Sequence, residues 1–103
     1  MGDRWGEGFA YLRQEYFKRA IDHHERALQI SKEKGDQAGE RRVHRNLGCA
    51  YQSLGDFSTA INFLEGLLKT AKQVGDKSGE RIAYDSLGNV YKILGDFKTA
   101  RLP

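Results

Sequence analysis

The feature that most limits what this chain can fold into is a stretch that returns. Leu47-Gly48-Cys49-Ala50-Tyr51-Gln52-Ser53-Leu54-Gly55-Asp56-Phe57-Ser58-Thr59-Ala60 reappears 40 residues later as Leu87-Gly88-Asn89-Val90-Tyr91-Lys92-Ile93-Leu94-Gly95-Asp96-Phe97-Lys98-Thr99-Ala100. A fainter copy precedes it: Gly8, Ala10, Tyr11, Phe17, Ala20 and Ile21 stand where Gly48, Ala50, Tyr51, Phe57, Ala60 and Ile61 recur. Self-similarity at a period of roughly 20–50 residues marks units that bury their apolar faces by stacking on one another. The expected fold is therefore an all-α solenoid, and a catalytic reading is disfavoured.

Each unit reads as helix, tight turn, helix. Leu47, Ala50, Tyr51 and Leu54 fall at i, i+3, i+4 and i+7, one face of a helix. Gly55 supplies the left-handed residue that ends a helix without a Cβ penalty. Asp56 then stands at the N-cap of the next helix, where its carboxylate accepts backbone N–H groups. Phe57, Ala60, Ile61, Leu64, Leu67, Leu68, Ala71 and Val74 follow at three- and four-residue steps, and Gly75-Asp76 repeats the punctuation. Gly48, Gly88, Ala60 and Ala100 are small enough for antiparallel helices to approach closely. Tyr51 and Tyr91 are expected to fill the space between units.

These residues resemble the tetratricopeptide repeat, whose pattern runs Trp-x2-Leu-Gly-x2-Tyr, then Ala-x3-Phe, then Pro. Leu47-Gly48-x2-Tyr51 with Ala60 fits, as does Leu87-Gly88-x2-Tyr91 with Ala100. The Trp slot holds His44 and Tyr84, the Phe slot His24 and Leu64, and the Pro slot Lys32 and Lys72. With no Pro to stop it, the second helix of each unit can run on. The longer period, Leu87-Gly88-Asn89 and the Gly-Asp-x-x-Gly-Glu linkers are similar to the Leu-Gly-Asn repeats of the LGN/Pins group of G-protein signalling modulators. The resemblance implies a short right-handed α-solenoid that holds a peptide segment of a polarity or spindle-orientation partner in its concave groove. A chaperone-tail clamp is rejected: Asn46 is present, but its companions would be Trp5, Phe9, Ile82 and Ser86.

In chain order, residues 1–34 read as a shortened repeat, 35–74 as a complete one and 75–103 as a truncated one, all within a single domain. In the first unit Glu15-Tyr16 replaces the Gly-Asp turn, so its first helix is either shortened by about two turns or fused with the linker. Phe17 to Lys34 is its second helix, with Ala20, Ile21, His24, Ala27 and Leu28 inward. In the last unit Gly95-Asp96 predicts a turn and Phe97 the start of a helix that stops almost at once, leaving Leu87, Val90, Tyr91 and Leu94 uncovered. Self-association through these incomplete units is an expected partner mode.

Chemistry beyond binding finds little support. The adjacent His23 and His24 point about 100° apart on a helix and cannot share a metal. Cys49 has no His partner on its own helix, and the glycine-containing linkers lack the phosphate-loop pattern. No cofactor and no metal is implied. A net charge of +3, from 17 basic and 14 acidic residues of mixed order, reads as a solvated surface more than a nucleic-acid footprint. An RNA-reading array is disfavoured further, because Tyr51 and Tyr91 are assigned to packing. The single cysteine points to a reducing compartment, hence a cytoplasmic location. No apolar run reaches membrane length. The candidate peptide-binding groove is the outward edge of the first helices: Arg42, Arg45, Cys49 and Gln52 on residues 37–53, and Asp85, Asn89 and Lys92 with Ile82 on residues 77–93.

Overall fold

The computed structural model describes the backbone of residues 2–101 and the side chains of residues 11–96. Four helices follow one another: α1 (Gly2–Lys34), α2 (Gln37–Leu54), α3 (Phe57–Val74) and α4 (Lys77–Arg101). No strand occurs among the described residues.

The three turns are built alike. Gly35, Gly55 and Gly75 adopt φ of 68°, 84° and 72°, the left-handed region that a side chain disfavours. At the α2/α3 turn the Asp56 N–H donates to the Tyr51 carbonyl at 3.0 Å, closing the helix end. The aspartate after each glycine caps the next helix. Asp36 Oδ1 accepts from Gly39 N–H at 2.9 Å, Asp56 Oδ1 from Thr59 at 3.3 Å and Asp76 Oδ1 from Gly79 at 3.0 Å.

The ends depart from the expected punctuation in two ways. The first unit has no separate first helix, because α1 runs unbroken through Glu15-Tyr16 to Lys34. Neither residue provides the left-handed position a turn needs, so the helix continues. The turn expected at Gly95-Asp96 is absent: α4 passes through it to Arg101, and Gly95 has no positive φ. The Phe97 side chain assigned to a new helix lies outside the described residues, as do those of Trp5 and Phe9 and all of Met1, Leu102 and Pro103.

Packing follows the order of the chain. α2 lies between α1 and α3, and α3 between α2 and α4, with a lighter contact between α2 and α4. Val43, Leu47 and Ala50 of α2 join Ile21 of α1 in one buried cluster, flanked by Phe17, Ala27 and Leu28. Leu64 of α3 joins Leu87 and Val90 of α4 in a second, flanked by Phe57, Ile61, Leu68 and Leu94. Leu87 and Val90 are therefore not left bare, contrary to the expectation for the truncated unit. A first helix is flanked by the second helix of the preceding unit as well as by its own, and α3 covers these two residues. Tyr51 and Tyr91 also part company. Tyr51 is half-buried, stacks on Phe63 at 5.6 Å and donates to Glu25 Oε1 at 3.0 Å. Tyr91 is 52% exposed, and no aromatic ring among the described residues stacks on it. The stack is elongated, 51 × 32 × 18 Å, as a quasi-one-dimensional array requires.

Candidate functional site

The first helices α2 and α4 run side by side, and the seam between them opens into a crevice of about 240 Å³. Ala38, Arg41, Arg42 and Arg45 of α2 form one wall; Ser78, Gly79 and Ile82 of α4 form the other, with Leu67 beneath. The α4 wall is positioned by Asp76, whose two oxygens have separate tasks. Oδ1 caps α4 through Gly79. Oδ2 accepts from Arg41 Nε at 3.2 Å, in a pair largely shielded from solvent. Arg41 is thus committed to tying one unit to the next. Arg42 and Arg45 are exposed and have no carboxylate partner among the described residues. The crevice therefore offers two uncommitted guanidinium groups beside a small apolar floor, a setting suited to a carboxylate next to an aliphatic side chain.

The seven residues marked by sequence stand on α2 and α4 in different surroundings. Arg42 and Arg45 share this crevice. Asp85, Asn89 and Lys92 are exposed along α4, and Gln52 is half-exposed near the end of α2. Cys49 is exposed in a different crevice of about 180 Å³ between α1 and α2, among Phe17, Ala20, His24, Asn46 and Ser53. Sequence reasoning missed the Arg41–Asp76 link. Its signal was faint: Asp76 reads as a cap, and one carboxylate oxygen suffices for that.

One buried polar atom belongs to the packing rather than to the crevice. His44 Nδ1 is enclosed without a hydrogen-bond partner, close to Gly66, and the ring lies tilted 6.0 Å from Phe63. Burial, and secondarily the charge of Lys32, hold His44 below the usual histidine pKa, with Glu40 opposing them. No group of three or more His, Cys, Asp or Glu among the described residues could hold a metal ion. No helix among them is long and apolar enough to cross a membrane.

Antiparallel helices joined by Gly-Asp turns, stacked so that first helices line one edge, define an α-solenoid, a class that offers extended binding surfaces. The tetratricopeptide-repeat family profile matches residues 5–73, through α1, α2 and nearly all of α3, and the chain belongs to that family. Arrays of this family generally mediate protein–protein interactions. No curated protein matches the chain.

Proposed function

We propose that the chain is a scaffold or adaptor module whose concave edge, along α2 and α4, binds a peptide segment of a partner protein. The observation that carries this reading is the crevice between the two first helices, where Arg42 and Arg45 stand exposed and unpaired while Arg41 is consumed by Asp76. Asp85, Asn89 and Lys92 extend the polar edge along α4 and supply donors and acceptors for the ligand backbone. The preferred ligand is an acidic segment with an aliphatic residue adjoining the carboxylate. The 40-residue period and Leu87-Gly88-Asn89 favour a polarity or spindle-orientation partner among such ligands, and the lone Cys49 fits a cytoplasmic setting.

The test is fluorescence anisotropy with a labelled acidic peptide, its charge-reversed counterpart and a single-stranded RNA, each at two salt concentrations. Arg45→Glu is expected to weaken the acidic peptide at least tenfold and leave the thermal melt unchanged, since Arg45 is exposed. Equal affinity for both peptides, or tighter binding of RNA than of either, would overturn the proposal.

A further inference from the structure

The middle helices and the end helices are not equally provided for. Among the described residues, α2 and α3 each have a neighbour on both sides, whereas α1 packs only on α2, and α4 only on α3 and the edge of α2. In repeat terms α1 is a second helix and α4 a first helix, and each has a face that no other described helix covers. We propose that α4 of one copy docks on α1 of another, head to tail, in the way that α2 packs on α3 within one copy. This goes beyond the peptide-groove reading and does not depend on it.

The α2/α3 pair shows what such a contact looks like. The α2 face toward α3 is His44, Gly48 and Tyr51. A Cβ on Gly48 would lie 2.7 Å from Leu64, and Tyr51 stacks on Phe63. One period on, α4 carries Tyr84, Gly88 and Tyr91 at the same spacing. Tyr84 and Tyr91 are exposed, and a Cβ on Gly88 would meet nothing within 4 Å. Gly88 is a close-approach residue with nothing approaching it. One period before Ala60, Phe63 and Leu64 stand Ala20, His23 and His24 of α1. Ala20 and His24 border the open crevice between α1 and α2, where a helix ahead of α1 would sit.

Charge complementarity selects a second copy as the occupant. Within one copy, Arg41 of α2 pairs with Asp76 at the cap of α4. Arg81 of α4 and Asp36 at the cap of α2 are the same two residues shifted by one period for each end of the molecule. Both are exposed, and no carboxylate pairs with Arg81 among the described residues. Head-to-tail docking would place Arg81 of one copy beside Asp36 of the next. The helix ends agree as well. Antiparallel docking sets the overrun of α4 to Arg101 alongside the N-terminal part of α1, where Tyr11, Leu12 and Tyr16 are exposed. Such an interface uses two different surfaces, so it propagates or closes into a ring.

Light scattering on the wild-type chain across a concentration series should give a mass rising through multiples of the single chain, and less steeply at high salt. Gly88→Trp blocks α4, and Ala20→Arg blocks α1. Each variant alone should associate at least tenfold more weakly, with helical content retained, and an equimolar mixture should form a dimer that stops at two copies. That rescue separates head-to-tail docking from pairing of like faces. A wild-type chain that remains single at its highest soluble concentration would overturn the inference. So would Gly88→Trp associating like wild type, folded blocked variants that fail to dimerise on mixing, or a face that takes only a helix of a different protein.

Discussion

Gly48 and Gly88 hold the same place in the repeat and meet different surroundings. Leu64 and the Ala60 carbonyl press on Gly48, so a methyl group there must displace packed atoms. Gly48→Ala should lower stability by about 1–3 kcal/mol, the usual cost of overpacking a tight contact. Gly88→Ala adds a methyl in open space and removes the helix-weakening effect of glycine, so it should raise stability by up to about 1 kcal/mol in dilute solution. Paired thermal melts decide this. His44 makes the other prediction at this scale. Its folded-state pKa lies below the ordinary 6.5, through burial first and Lys32 second. The unfolded chain then binds the proton more readily, so the contribution of neutral His44 is complete above about pH 6.5 and is lost as pH falls below it toward the folded-state value. Melts from pH 7.5 to 5 should show a wild-type decline that His44→Tyr, the residue found one period on, reduces. Equal slopes would show that another group sets the pH dependence.

At the scale of helices, identical turn residues give different outcomes. Gly55-Asp56 breaks the chain into α2 and α3; Gly95-Asp96 does not break α4. After Gly55-Asp56, α3 returns Ala60 and Leu64 to pack beneath Gly48, whereas a Cβ placed on Gly88 would meet nothing within 4 Å. Gly55→Ala forces a side chain into φ 84° and should cost about 1–2 kcal/mol. Gly95→Ala, in the interior of a helix, should instead gain up to about 1 kcal/mol and increase the helical signal. A loss of helicity in Gly95→Ala would mean that this glycine turns in solution. α1 reaches the same unbroken form by a different route: Glu15-Tyr16 contains no residue suited to a left-handed turn, so its continuity has a local cause.

For the whole molecule, stability is shared through helices that face two ways. Leu64 is fully buried, touches Gly48 of α2 and belongs to the cluster formed with Leu87 and Val90 of α4. Leu64→Ala should therefore cost about 2–5 kcal/mol and loosen both the α2/α3 and α3/α4 contacts, seen as a loss of cooperativity as well as a lower midpoint. A changed midpoint with an equally sharp transition would show that the two contacts do not depend on one residue. The Arg41–Asp76 pair links the first helices α2 and α4, so it holds the crevice walls in register while Arg42 and Arg45 stay exposed.

Much of this was legible in the chain itself. The 40-residue period, the glycine and aspartate of three turns, and the buried stripes through Leu47 and Leu64 are short-range patterns, and short-range chemistry is enough to produce them. Arg42 and Arg45 could be placed on an outward edge for the same reason, because helical spacing alone sets the face. Tertiary structure decided what depends on neighbours distant in sequence. It determined that Gly95-Asp96 stays helical, that Leu87 is covered while Tyr91 is open, that Arg41 is bound to Asp76, and that Cys49 lies in a different crevice from Arg45. A residue's spacing tells which way it points; only the packed helices tell what, if anything, is there to meet it.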